Sequence, residues 1–401
     1  MEFGPILSAM LRNKLGPALI AVQIALTLAV LVNAVFIINE RIEHMSRSTG
    51  MDEENIIAVA STGLGDDFNL RESIREDLEA MQAIPGVIAA TSSQHVPLSG
   101  SGWGTSLKAE PGADAPTVDG VQYFVNDRAV ETLGVEIEAG RDFRPEDIMY
   151  PENFAVPPEA IMITRAMADE LFPDGKALGA TVYDGLDHPI SVIGIIERMH
   201  GAWVGYEKLE NVMLVPRIPV GETSAWYMIR TEPGERDRIM PLVEQTLAKV
   251  NDRRIVRELD TLENIKASSY ASDRGMAVLL GAVIVLMVVV TALGIVGLAS
   301  FAVRQRTKQI GTRRAIGARR RDIVRYFMVE NWLITTGGVI AGTALAFALN
   351  YWLVTAYSLE KLDPIYVPVG IAGLWALGLL AVYGPARRAA AISPSVATRT
   401  V

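Results

Sequence analysis

The placement of long apolar runs limits this chain's fold more than any other feature. Four reach membrane length, at 15–38, 275–303, 327–354 and 366–386. About 20 apolar residues cross a bilayer as a helix, so four transmembrane helices are predicted. Between the first two runs lies 39–274, which holds no such stretch and reads as a large water-soluble domain inserted between spans. Between the second and third lies 304–326, with Arg304, Arg306, Lys308, Arg313, Arg314, Arg319, Arg320, Arg321 and Arg325 against one acid, Asp322. A basic side chain at the centre of a membrane helix costs about 2.5–3.5 kcal/mol, so this block must leave the lipid. Basic loops stay on the cytoplasmic side. Arg12 and Lys14 precede the first run, and Arg387 and Arg388 follow the fourth. Both termini and 304–326 are therefore expected in the cytoplasm. The inserted domain and the short loop 355–365 are expected outside, periplasmic in a double-membrane bacterium, and 387–401 is a cytoplasmic tail.

Orientation alone would explain the charges of the basic block, but not its internal pattern. Gly311 and Gly317 bracket a short turn of helix at 312–316, and Ile310 and Ile316 give it apolar faces. That is a docking element for something in the cytoplasm. In the third run Gly338 and Gly342 form a small-xxx-small pair that permits close helix contact. Gln23 and Asn33 in the first run are expected to face another helix, where an amide finds a partner. Phe3, Ile6, Leu7, Met10 and Leu11 recur at helical spacing, which predicts an interfacial helix over 1–14.

Inside 39–274 the periods are readable. A strand at 55–61, a helix with Leu70, Ile74, Leu78 and Met81 on one face, and a strand at 87–94 make a β-α-β unit, with Pro85-Gly86 closing the helix. The theme returns as a strand at 225–230, a helix carrying Ile239, Leu242, Val243, Thr246, Leu247 and Val250, and a strand at 254–259. The two halves, 50–95 and 222–260, are predicted to share one sheet, with 96–221 inserted as a second subdomain. That insert shows β-like runs at 121–125, 160–163 and 190–196, and a helix after Thr164, a candidate N-cap. Helical stalks are expected at 39–48 and 262–274. Trp103, Trp203 and Trp226 read as core or interface aromatics.

The net charge is −9, yet the loop is basic, so the acidity lies mostly in the inserted domain. The basic cluster is pinned between spans, and no nucleic-acid partner is expected. There is no cysteine, which removes thiol nucleophiles and cysteine metal sites. No GxxxxGK[ST] or HExxH pattern occurs, and Asp174-Gly175-Lys176-Ala177 fails as a phosphate loop. His44, His95, His188 and His200 lack metal-ligand spacing. Ser99 and Ser101 do not form a nucleophile elbow. With the third run's apolar part taken as 331–354, no charge sits within any span, which argues against an ion relay. No catalytic, cofactor or metal residue is assigned.

The stretch RQRTKQIGTRRAIGARRRDIVRYFMVENWLI resembles the signature of MacB/FtsX/LolC-type permeases. The matching positions are Arg304, Arg306, Ile310, Gly311, Arg313, Arg314, Ala315, Ile316, Gly317 and Ala318, with Gln309 where the family usually has Glu. IPGVIAATSSQHVPLSGSGW, VETLGVEIEAGRDF, ITRAMADELFPDGKALGATV and SVIGIIERMHGAW resemble successive blocks of the MacB-like periplasmic core domain, and PARRAAAISPSVATR the closing block. The resemblance implies an α-helical membrane protein with four transmembrane helices and a large extracytoplasmic α+β domain. That domain would comprise a porter-like subdomain of two β-α-β halves and an inserted Sabre-like β-rich subdomain. It further implies a type VII ABC permease subunit acting by mechanotransmission, without catalysis of its own. Ile310, Gly311, Arg313, Arg314, Ala315, Ile316, Gly317 and Ala318 would couple to a separate ABC ATPase that carries ATP and Mg. A second permease chain, a periplasmic adaptor, an outer-membrane channel and membrane lipid are the implied partners. Efflux of peptides or antibiotics is the favoured task. Signalling to a periplasmic partner, as in the FtsX branch, and lipoprotein extraction, as in the LolC/LolE branch, remain open.

Overall fold

The computed structural model describes residues 14–65, 68–152, 156–218, 222–357 and 360–393. The interfacial helix expected at 1–14 therefore lies, except for Lys14, outside the described residues, as does the tail from 394. The chain divides into two units, Met1–Ser46 with Asp273–Val401, and Arg47–Ser272.

The first described helix, α1 (Leu15–Ser46), continues past its apolar run to the end of the first segment. The inserted unit then opens with β1 (Ile56–Gly63), α2 (Leu70–Gln82) and β2 (Val87–Ser93). Asn69 caps α2 by accepting from the Glu72 N–H, and Leu70, Ile74, Leu78 and Met81 bury the expected face. The late half supplies β10 (Ser224–Thr231), α5 (Arg236–Val250) and β11 (Arg254–Thr261). On α5 only Ile239, Val243 and Leu247 of the six expected positions are fully buried. The four strands make one sheet in the order β11-β1-β10-β2, with every neighbour antiparallel. Each half thus leaves a gap that a strand of the other fills, which is a split β-α-β arrangement.

A buried polar group ties the halves together beneath that sheet. Asp77 of α2 pairs with Arg254 of β11 at 2.5 Å and accepts from the Tyr227 hydroxyl of β10 at 2.6 Å. Ser73 accepts from Arg254 at 3.2 Å. Both charged side chains are nearly inaccessible to water, so each depends on the other. Burial, and after it the Asp77 carboxylate alongside, holds the Tyr227 hydroxyl well above the ordinary tyrosine range.

The insert between the halves carries β3 (Trp103–Lys108), β4 (Thr117–Val125), α3 (Ala129–Leu133), β5 (Ile137–Gly140), β6 (Ala160–Thr164), α4 (Arg165–Leu171), β7 (Thr181–Tyr183), β8 (Pro189–Ile196) and β9 (Val212–Pro216). Their order is β5-β8-β6-β9-β4-β3-β7, and β7 also pairs with β8. That second pairing closes the strand order on itself and leaves β5 as a spur, which removes most free edges. Side chains alternate along β4. Val121, Tyr123 and Val125 join the core shared with the first sheet, whereas Val118 and Phe124 face the core under α4. Thr164 stands at the start of α4, but its side chain does not cap the helix. The hydroxyl instead donates to the Glu210 carbonyl and accepts from the Val212 N–H, stitching β6 to β9.

The unit resumes with α6 (Leu262–Ser269), capped by Thr261, before the membrane helices. These are α7 (Ala271–Gln305), α9 (Arg320–Tyr357) and α10 (Tyr366–Ala390), with the short α8 (Thr307–Ala315) between the first two. Together with α1, the three long helices are long and apolar enough to cross a membrane. Of the four, α1 is the most deeply buried among its neighbours and α7 the least. A Cβ on Gly338 would stand 2.7 Å from the Ala21 carbonyl oxygen, and one on Gly342 would stand 2.9 Å from Ala25 Cα. The pair therefore lets α9 touch the α1 backbone. Asn33 donates to the carbonyls of Ala29 and Ala346, and Thr27 shares a hydrogen bond with Thr291 of α7. Gln23 packs against Gly294 of α7.

Candidate functional site in the basic loop

The chain leaves α7 at Gln305, and Arg306 (φ −101°, ψ 11°) breaks the helix. The nine residues of α8 follow, so the helix begins well before Gly311. Gly311 is a buried helical position beside buried Ile310 and does not bracket the turn. The reason is continuity: Ile310 N–H bonds the Arg306 carbonyl, and the ladder runs on through Ile316 N–H to the Thr312 carbonyl. Gly317 does end the helix. Its φ of +108° belongs to glycine, and its N–H closes on the Arg314 carbonyl while Ala318 N–H closes on Arg313.

The expected site residues divide into held and free. Ile310 is 5% exposed and packs in the core of the membrane helices. Arg314 donates to the main-chain oxygens of Ala390 at 2.6 Å and Ile392 at 3.3 Å, fastening α8 to the end of α10. Those carbonyls are the unsatisfied end of a helix, where a cation is favoured. Arg313 lies over the Tyr326 ring at 5.2 Å. Ala315 and Gly317 are exposed, Ala318 is half-buried, and Ile316 is 82% exposed. An isoleucine left in solvent on a fastened helix offers an apolar contact ringed by charge.

The remaining arginines behave differently from one another. Arg304, Arg319, Arg320, Arg321, Arg387 and Arg388 are exposed. Asp322 accepts from the Arg319 N–H and so starts α9, which means Arg320 and Arg321 already lie in helix. Arg306 turns inward. Its guanidinium donates to both Glu330 carboxylate oxygens, at 3.0 and 2.8 Å, and Glu330 is 9% exposed. Glu330 falls just before the apolar stretch 331–354 that was expected to be free of charge, though inside the wider run 327–354, and its burial is tolerated because Arg306 pairs with it. The two residues stand far apart in sequence. The one available signal was a lone acid adjoining an apolar run.

Elsewhere, Glu40 and His44 of α1 and Glu360 each offer a ligand atom within 4.8 Å of the others, an arrangement with the chemistry of a divalent-cation site. The histidine spacing alone could not disclose it, because Glu360 comes from a remote loop.

Over residues 19–252 the chain matches the family described as the MacB-like periplasmic core domain, and over 281–394 the FtsX-like permease C-terminal family. A macrolide export ATP-binding/permease protein MacB of Chromobacterium violaceum is 24% identical over 96% of this chain and 58% of that protein. One from Paracoccus denitrificans is 29% identical over 73% of this chain and 43% of its own length. The chain thus spans less than two thirds of each of these relatives. Among solved structures, the periplasmic region of MacB from Actinobacillus actinomycetemcomitans aligns over 56% of this chain and 97% of its own, at 12% identity and a TM-score of 0.33. The extracellular domain of YknZ, a noncanonic ABC-type transporter from Gram-positive bacteria, aligns over 50% and 100%, at 18% and 0.32.

Proposed function

Because the chain belongs to the MacB-like periplasmic core domain family, joined here to an FtsX-like permease region, we propose that it is the membrane subunit of an ABC machine whose ATPase presses on α8. In this reading 304–326 and both termini face the cytoplasm, and Arg47–Ser272 faces the periplasm. ATP and Mg bind the ATPase. The stroke is spent outside the membrane, by reshaping the inserted unit, on efflux of peptides, antibiotics or similar cargo. A second permease chain, a periplasmic adaptor and an outer-membrane channel complete the assembly. Export is also the task in the printed names of the curated relatives.

The observation that carries the reading is Ile316, an exposed apolar tip on a helix otherwise fixed by Ile310 and Arg314. A pivoting element that receives force needs a free contact and a stiff mount, and α8 has both. The chain has no cysteine, so Ile316→Cys gives a single reactive thiol. Crosslinking in native membranes is expected to capture an ATP-hydrolysing protein through it. Ile316→Asp is expected to lower ATP hydrolysis by the purified assembly at least tenfold without changing expression. If the crosslinks find no ATPase, or labelling places this thiol on the outer face, the reading fails.

A further inference from the structure

Just past the apolar run of α1, three side chains with metal-ligating chemistry converge. Glu40 and His44 stand four residues apart on α1, so they share one face of that helix. Glu360, from the loop between α9 and α10, completes the group, and one ligand atom from each lies within 4.8 Å of the other two. All three belong to the unit formed by Met1–Ser46 and Asp273–Val401. The loop that carries Glu360 is set in place by its neighbours. Leu362 N–H donates to the Asn350 side chain of α9 at 3.1 Å, and Asn39 of α1 donates to the Tyr366 hydroxyl at 3.1 Å.

Ordinary contacts do not account for this meeting. Among the described residues, no hydrogen bond or ion pair joins these three side chains to one another or to a further side chain. Glu40 Oε2 is shielded from water with no hydrogen-bond partner. Arg41, the adjacent cation in the chain, is turned to Asp273 at 2.7 Å. Two carboxylates held this close repel one another unless a positive charge stands between them. Glu40 and His44 are half-buried and Glu360 is exposed, so the group opens to water through Glu360 and an ion can reach it.

We propose that Glu40, His44 and Glu360 bind a divalent transition-metal ion of the zinc class, which clasps the end of α1 to the α9–α10 loop. The imidazole nitrogen selects against magnesium and calcium, which take oxygen ligands. Zinc accepts histidine nitrogen and carboxylate oxygen together, and three protein ligands leave a fourth position for water. Zinc bonds of about 2.0–2.2 Å set tetrahedral ligands roughly 3.4 Å apart, so these flexible side chains would close by about 1 Å around the ion. Glutamate side chains reach that far by rotation about their own bonds. The site is independent of whether an ATPase drives the chain.

The test uses the full chain, without a histidine tag, in phosphatidylcholine nanodiscs stripped of metal by a chelator and titrated with cobalt(II) alone. One cobalt per chain is expected to bind at micromolar concentration, to give the visible absorption of a four-coordinate ion, to raise the thermal midpoint and to be displaced by zinc. Glu40→Gln, His44→Ala and Glu360→Gln should each weaken binding at least tenfold, whereas His188→Ala, in the inserted unit, should leave it unchanged. His44→Cys supplies the one thiol of a cysteine-free chain, and should add a thiolate-to-cobalt band in the near ultraviolet. Failure of the unmodified chain to bind cobalt overturns the proposal, and needs no variant to fold. So does undiminished binding by His44→Ala or Glu360→Gln, or binding by His44→Cys without the thiolate band, since either places the ion elsewhere.

Discussion

At the scale of single residues, two buried ion pairs hold parts of the chain that are remote in sequence. The Asp77 and Arg254 side chains are 1% exposed or less and link α2 to β11. Arg254→Met leaves the Asp77 carboxylate buried without a counter-charge, and is expected to destabilise the inserted unit by about 3–5 kcal/mol. A lowered urea midpoint on near-ultraviolet circular dichroism would register it. Replacing both partners, Asp77→Leu with Arg254→Met, should recover most of that loss, because a well-packed apolar pair carries no desolvation penalty. Arg306 and Glu330 do the same work between the end of α7 and α9. Arg306→Leu is expected to cost a similar amount, read as a lower thermal midpoint in detergent, with Glu330→Leu restoring part of it. A null result in either single variant would mean the acid finds another partner.

At the scale of elements, α9 lies on α1 through two glycines whose Cβ positions are already occupied by backbone. Gly342→Leu is expected to force the helices apart at a cost of about 1–3 kcal/mol or more, seen as a lower thermal midpoint and faster proteolysis in detergent. Gly373→Leu, on α10 where a Cβ meets nothing within 4 Å, is the matched control and should change little. The spacing of Gly338 and Gly342 was legible in sequence; which helix they would meet was not. The same divide recurs in the inserted unit. The buried face of α2 was readable because Leu70, Ile74, Leu78 and Met81 keep helical period up to a Pro-Gly stop. The strand β9 was not, because all five of its residues are buried and a short uniform apolar run has no period to detect. The interleaving of β1 with β10 depends on contacts between halves more than a hundred residues apart, which no local pattern encodes. Within the basic loop, the Ile310 and Ile316 faces were visible, whereas the role of Arg314 was hidden, since its acceptors are main-chain oxygens that any sequence supplies.

At the scale of the whole molecule, the outstanding fact is how little of α7 is covered. It is apolar on every side, with Val285, Leu286 and Leu293 each more than 60% exposed. A helix of that kind faces lipid or another helix. Under the proposed assembly part of this surface meets a second copy. Val285→Cys or Leu286→Cys in the cysteine-free chain is expected to give an oxidant-dependent species of twice the chain's mass in native membranes. If a scan of single cysteines along α7 yields only monomer, α7 faces lipid alone. The fastening of Arg314 to Ala390 and Ile392 bears on what any such assembly can do. It makes the basic loop and the final helix one latch, so a shove arriving at the loop cannot be absorbed there as slack. Whatever tilts α8 must also tug the foot of α10. The last turn of α10 is then yoked to the same oar, and its position would report each stroke.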